Sequence, residues 1–290
     1  MYWASQATLC RFESRANRET AWQLHRVLVE QFISSFKRRP RRLILDFDAT
    51  DDAVHGKQEG RFFHGYYDHY CYLPLYVFCG DQLLVSYLRP SKIDGAKHAW
   101  AILALLVKRL RQAWPKVQII LRADSGFCRY RMLAWCERHN VDYIVGIAKN
   151  AVLLRRSAPL HHDAEQCFYD LGKKVRWFST LRYGAKTWDR DRRVIVKMEY
   201  TAKGANPRYV VTSLKGDPKR LYDQLYCARG EMENRIKEQQ LDLYADRTSC
   251  HRWWPNQFRL LLSSLAYTLW EAIRRLALQG TELPRAVTAQ

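Results

Sequence analysis

Residues 42–50 read RLILDFDAT. Leu43, Ile44, Leu45 and Phe47 make a short apolar run of β type that ends in acid. Successive side chains of a strand point to opposite faces, so Asp46 and Asp48 share one face. A carboxylate at the end of an apolar strand costs desolvation energy unless something pairs with it. The stretch starts a sheet and requires a partner for its acids.

Upstream, residues 17–36 carry Trp22, Leu24, Val27, Leu28, Phe32 and Ile33 at helical spacing, and KRRPRR (37–42) closes that segment with charge and a proline. Residues 1–40 thus read as a helical segment with a basic linker, and 41–290 as the main domain. KRRPRR suits a phosphate contact and a solvated linker equally. Downstream, YCYLPLYVFCG (70–80) and DQLLVSYLRP (81–90) are strand-like runs joined at Gly80-Asp81, a hairpin signal. A three-strand meander follows. AKHAWAILALLVKRLRQAW (96–114) is a helix stopped by Pro115, KVQIILRADSGF (116–127) a strand, YRMLAWCERHN (130–140) a helix and VDYIVGIAKN (141–150) a strand. The order is βββαβαβ, an α/β arrangement.

From about 150 to 216 the pattern changes. KVRWFSTLRYG (174–184), DRRVIVKMEYTAKG (191–204) and NPRYVVTSLKG (206–216) read as antiparallel strands of a β-rich insertion. Asp217-Pro218, an N-cap acceptor before a proline, opens a helix over about 217–240. A last helix is expected over about 257–278, with a frayed tail beyond Gly280.

The 290 residues are 48% hydrophobic, which excludes disorder. Lys+Arg of 48 against Asp+Glu of 29 gives a net charge of +19, spread along the chain, so DNA or RNA is the first partner to consider and an acidic membrane surface the second. Eight cysteines form no CxxC pair or zinc spacing and read as reduced thiols of a cytoplasmic protein. No secretion signal opens the chain, and its most apolar late stretch is broken by Arg259 and Glu271, which argues against a membrane span.

On a regular helix Tyr226, Arg229, Glu233, Lys237 and Gln240 fall on one stripe. Alone, such a stripe is a solvated face with ion pairs worth ~0.2–0.5 kcal/mol each. Asp124, ending QIILRAD as Asp48 ends its strand, changes the weighing. Structural pairs with arginine are one explanation for such acids; hard Mg²⁺ or Mn²⁺ is the sharper one. Two such ions can serve the attacking and leaving oxygens of a phosphodiester. Asp51 and Asp52 read as solvated loop acids and His55 as a surface histidine, while Trp177 and Trp188 suit sheet packing better than stacking on a base.

Asp48 in DFDAT, Asp124 in LRADSGF, the βββαβαβ order, the β-rich segment and YCARGEMENRIKEQQLDL (226–243) together resemble the DDE transposases of bacterial insertion sequences. More narrowly they resemble DDE domain group 1, the cut-and-paste enzymes whose third acid lies in a tyrosine-arginine-glutamate-lysine helix signature. The similarity runs from SQATLCRFE (5–13) to NQFRLLLSSLAYTLW (256–270). It implies an RNase H-like mixed sheet interrupted by the insertion, with C-terminal helices. It also implies two Mg²⁺ or Mn²⁺ ions on Asp48, Asp124 and Glu233, and DNA cleavage followed by strand transfer at inverted repeats. The implied partners are duplex ends and target DNA, with a homodimer on DNA one assembly it allows, in the bacterial cytoplasm at the nucleoid.

Matched by position, Tyr226, Arg229 and Glu233 fit the signature, while Gln240 stands where it has lysine and Lys237, one turn earlier, reaches a phosphate instead. That departure bears on strand-end handling and any hairpin intermediate. Asp48 rather than Asp46 is the first acid on the Asp-x-Thr form. The chain begins close to the core and stops soon after its last helix, so a copy shortened at both ends is expected. A non-catalytic DNA-binding remnant is the alternative activity.

Overall fold

The computed structural model describes residues 5–281 and opens with two helices, α1 (Gln6–Ser14) and α2 (Arg18–Ser34). Ser5 and Asn17 cap them by accepting from the backbone N–H of Thr8 and Thr20. β1 (Arg42–Ala49) follows, and the chain then detours through three short strands, β2 (Asp52–Ala53), β3 (Phe62–His64) and β4 (His69–Tyr72). These make a small sheet of their own in the order β2-β4-β3. β5 (Leu75–Cys79) returns antiparallel to β1, and β6 (Gln82–Tyr87) pairs antiparallel with β5. The single strand expected over 70–80 is therefore split at Leu73-Pro74, because a proline has no N–H to give a ladder.

Two parallel crossovers complete the central unit. α3 (Ala99–Ala113) leads to β7 (Gln118–Ala123), parallel to β1, and α4 (Tyr130–Arg138) leads to β8 (Asp142–Ile147), parallel to β7. The order β6-β5-β1-β7-β8 is the mixed sheet of an RNase H-like fold. On one face of β1, Leu43, Leu45 and Phe47 pack with Phe32 of α2 and with Leu103, Leu106 and Leu110 of α3. Each such side chain, fully buried, stabilises by about 1.5–3 kcal/mol.

The segment after residue 150, read as a β-rich insertion, begins with two helices ahead of its strands. α5 (Ala151–Arg156) is capped by Asn150, which accepts from Val152 and Leu153, and α6 (Ala158–Leu171) has a proline in its first turn and ends on left-handed Gly172. Cap, proline and glycine are local signals that strand periodicity does not weigh. The antiparallel strands then appear as expected: β9 (Val175–Tyr183), β10 (Arg192–Thr201), β11 (Gly204–Ala205) and β12 (Arg208–Thr212). They extend the central sheet, since β12 pairs with β8. Trp177 packs against Ala164, Val175 and Met198, and Trp188 against Tyr183 and the Arg192 guanidinium.

Asp217 caps the next segment by accepting from the Arg220 N–H at 2.7 Å. The segment is not one regular helix: α7 (Pro218–Arg220) gives way to a wide π-type turn (Leu221–Tyr226) and a tight 3₁₀ turn (Cys227–Arg229) before α8 (Gly230–Leu241). π-type turns concentrate at functional sites. α9 (Trp253–Leu276) starts a little before the expected 257, with Trp253 seated on Tyr72. The expected frayed tail lies, from residue 282, outside the described residues. Among the described residues no helix is long and apolar enough to cross a membrane, and all eight cysteines are free, with Cys71 and Cys136 buried and Cys10 and Cys227 exposed.

The acid face of β1 is clamped to its neighbour and to the helix above. Asp46 stands in register with Arg122 of β7. The guanidinium grips the carboxylate through Nε and Nη2, the latter at 2.7 Å from Oδ2, and its Nη1 donates to the Leu225 carbonyl at 2.6 Å. Both side chains are almost wholly buried. Burial raises the Asp46 carboxyl pKa while Arg122 pulls it down. Asp46 is thus held in a buried ion pair with Arg122, and Asp48 is the more accessible of the two acids. Asp46→Ala is expected to lose about 3–5 kcal/mol in urea unfolding by stranding Arg122, and the apolar pair Asp46→Leu with Arg122→Met to lose far less. Equal losses would contradict the clamp.

Candidate active site

The pairing Phe47↔Ala123 sets Asp48 beside Asp124, each at the C-terminal end of its parallel strand. Asp48 Oδ1 accepts from the Ala49 N–H at 2.9 Å, and Asp124 Oδ1 accepts from the Gly126 N–H at 2.9 Å, capping the turn of residues 125–127. Burial pushes the Asp48 carboxyl up to about 6; the Arg229 guanidinium opposes this, and the Asp124 and Glu233 charges add to it. Like charges that act on one another in this way belong to one electrostatic site.

α8 supplies the third acid. Arg229 lies one turn before Glu233 and donates to Glu233 Oε1 from Nη2 at 2.6 Å, while its Nη1 lies 3.3 Å from Asp48 Oδ2. One guanidinium therefore bridges the strand acid and the helix acid. Tyr226 is wedged against β8: a methyl group on Gly146 would fall 2.6 Å from its hydroxyl and 2.9 Å from the Ser125 nitrogen. Only glycine leaves that space. Gln240 donates to the Asp51 carbonyl at 2.9 Å, bracing the loop after β1, and Lys237 is exposed. Of the five stripe residues, Arg229 and Glu233 meet Asp48, Tyr226 sits by the Asp124 turn, and Gln240 turns to the protein itself.

The donor set is all carboxylate oxygen, which suits a hard divalent ion. Among the described residues, however, no three acidic, histidine or cysteine side chains are already gathered as a cage, and Arg229 holds the space between Asp48 and Glu233. The residues fit such an ion in chemistry, and the arrangement present is the arginine-bridged one. An apolar groove of about 770 Å³ opens elsewhere, between α2 and α3. Its lining includes one acid, Glu30, which is bound to Arg109, so it offers none of this charge chemistry.

The family model for the transposase DDE domain, group 1, matches residues 1–290. The chain belongs to that family. Among solved structures it is similar to the cryo-EM structure of the piggyBac transposase synaptic complex with hairpin DNA, at 10% identity and a TM-score of 0.47, over 91% of this chain and 53% of that one. It therefore spans about half the length of that chain. No curated protein sequence matches it.

One expectation about the site's surroundings is overturned. Asp52, read as a solvated loop acid, is 2% exposed, because β2 pairs with β4 and the Thr248 hydroxyl donates to Asp52 Oδ2 at 2.8 Å. Asp51 is half-buried against His69, with Nε2 to Oδ2 at 2.8 Å, and His55 is exposed as expected. HYCY (69–72), read as the start of a longer strand, is a strand of its own, and its pairing with Asp52-Ala53 draws the acid inward.

Burial lifts the Asp52 carboxyl to about 7; Thr248 opposes this, and Asp246 and Asp51 add to it. The folded state thus holds this proton more tightly than the unfolded state, whose carboxyl keeps the ordinary value. Stability is highest below that value and falls as pH rises towards 7. Asp52→Asn removes the penalty. It is expected to match the parent at pH 4 and exceed it at pH 8 by up to a few kcal/mol, at ~1.4 kcal/mol per pH unit. Denaturant unfolding at the two pH values checks this, and a variant weakened at pH 8 would contradict it.

Proposed function

We propose that this chain is a transposase that cleaves DNA and transfers strands at the inverted-repeat ends of an insertion sequence, with Asp48, Asp124 and Glu233 holding two divalent ions, Mg²⁺ or Mn²⁺. The observation that carries the reading is the Arg229 guanidinium lying between Asp48 and Glu233, at a strand end where Asp124 adds its charge. Family membership supports it, divalent ions being general in that family. The net charge of +19 suits a polyanionic substrate.

Divalent ions bound at these carboxylates would supply charge neutralisation at the phosphodiester and a more acidic attacking hydroxyl. Asp48 and Asp124 stand on paired strands, so they set the position of the reacting phosphate to within the rigidity of the sheet. Glu233 closes the site from the helix. Arg229, once its carboxylates are engaged elsewhere, presents a planar fork of donors to phosphate oxygens. Lys237, exposed on the next turn, reaches the neighbouring phosphate of the same strand. Tyr226 and Gln240 keep the helix in register, one against Gly146 and the other on the Asp51 carbonyl. Duplex ends and target DNA are the partners.

Purified protein with Mg²⁺ and a labelled duplex carrying the element's terminal repeat is expected to nick the end and join it to a target. Asp124→Asn is expected to slow cleavage on the order of a thousandfold, the several kcal/mol such ions contribute. The metal-free melting temperature should hold or rise, because one crowded charge is gone and an asparagine oxygen still caps the Gly126 turn. Binding without nicking by the parent would instead assign a non-catalytic DNA-binding protein, and cleavage without joining a nuclease.

Arg229→Ala separates the arginine's two roles. Without metal the variant should melt lower than the parent at pH 8, because Asp48 loses its counter-charge. Added Mn²⁺ should raise its melting temperature more than the parent's, since no guanidinium has to leave. On DNA, the slope of log affinity against log salt should flatten by about 1, one phosphate contact fewer. An identical Mn²⁺ response in both proteins would deny the competition.

A further inference from the structure

The small sheet β2-β4-β3 carries aromatic rings on its outside. Phe62 is 39% exposed, Phe63 53%, Tyr66 86% and Tyr70 47%. Rings of this size normally seek cover, and Phe63, Tyr66 and Tyr70 together on one short hairpin make a patch rather than scattered singles, while Phe62 points to the opposite face of β3. Phe63 and Tyr70 stand opposite each other in the β3–β4 ladder, edge to face at 5.7 Å. Tyr66 meets Tyr67 at the tip, 5.0 Å apart. Cations accompany the rings: the Arg61 guanidinium lies over Tyr70 at 4.5 Å and the Lys92 ammonium over Phe62 at 5.3 Å. Asp68, at the turn, is the nearest acid in sequence, and it is exposed.

The tip of this hairpin is linked by ring and ion contacts to the loop that follows Asp48. Tyr67 stacks on His69 with ring centroids 6.1 Å apart, and His69 in turn meets Asp51, whose carbonyl is the one held by Gln240 of α8. Burial pushes the Tyr67 hydroxyl up to about 12, and the Asp51 and Asp48 charges add to it, so the hairpin tip stands within electrostatic reach of the first acid.

We infer that this hairpin is a binding site for single-stranded DNA, in which unpaired bases stack on Tyr66, Phe63 and Tyr70 and Arg61, seated over Tyr70, takes an adjoining phosphate. Ring faces beside cations are the chemistry that single strands select: every unpaired base offers a flat face, and the backbone offers one negative charge per residue. Duplex DNA hides its base faces in its own stack. An apolar protein partner would not favour the cations, and a second copy of this chain would bring +19 against +19. The inference rests on the proposed reading for its choice of a nucleic acid, and it names the part of the substrate that this face takes: a strand whose bases have left the duplex next to the cleavage point.

The test uses the whole protein and fluorescein-labelled oligonucleotides of mixed sequence, single-stranded and as the matching duplex, in EDTA so that no cleavage occurs. Fluorescence anisotropy gives both affinities for the parent, the double variant Phe63→Ala with Tyr66→Ala, and Tyr66→Phe. The double variant is expected to lose about tenfold or more on the single strand, the scale of one lost stacking contact, and less than twofold on the duplex. Tyr66→Phe keeps its ring and should bind like the parent. Unchanged melting of all three proteins secures the comparison, since Tyr66 and Phe63 contribute little buried area.

Equal losses on both DNAs, no loss on the single strand, or a Tyr66→Phe variant as weak as the alanine variant would each overturn the stacking site. So would loss of self-association by the double variant in the absence of DNA, which would assign the face to a second copy. Failure of the parent to nick a repeat end in Mg²⁺ would count against the proposed reaction and leave these binding measurements standing.

Discussion

The parallel pairing of β1 with β7 is the constraint from which the site follows. In that register Ile44, Asp46 and Asp48 on one strand run beside Ile120, Arg122 and Asp124 on the other, all on a single face. The apolar pair belongs to the cluster beneath the 217–226 segment, the ion pair binds that segment through the Leu225 carbonyl, and the two acids are left at the strand ends. A shift of one residue would turn Asp46 and Asp48 into the opposite, fully apolar face that packs on α2 and α3. The cost of burying two carboxylates there holds the register in place.

Charge is arranged in two ways on this face. Asp46 is buried and matched by a guanidinium, so its burial is compensated. Asp48 is half-buried, yet it is crowded by Asp124 and Glu233 and shares one arginine with Glu233. A domain built only for stability would not gather like charges around a single counter-ion. The imbalance is the expected mark of a site whose full complement of positive charge arrives with its ligands.

Much of this was legible in the chain. RLILDFDAT and QIILRAD announced strands that end in acid, and Asp217-Pro218 announced the helix start. The partner of Asp46 was written in the chain too: Arg122 precedes Asp124 by the two residues that separate the two aspartates, so parallel strands put arginine beside Asp46. Less was readable where tertiary contacts override local pattern. β2 is two residues long, too short for periodicity to separate it from loop, and Asp52 was misread with it. α5 and α6 carry histidines, acids and arginines through a mixed sequence, and their caps spoke more clearly than their faces. Gln240 reads as a surface residue on any ideal helix, and only the path of the loop after β1 turns it to the Asp51 carbonyl.

The wide turn at Leu221–Tyr226 has a consequence for the chain's tolerance of change. Each residue of a regular helix advances the azimuth by about 100°. A change of length in this segment, with the winding of its wide and tight turns kept, would rotate everything downstream by about that angle, carrying Arg229 and Glu233 away from Asp48 while Leu221 stayed on the sheet. Substitutions here can be absorbed by repacking, whereas a change of length cannot. The segment acts as a spacer of fixed count, and its length is under tighter constraint than its composition.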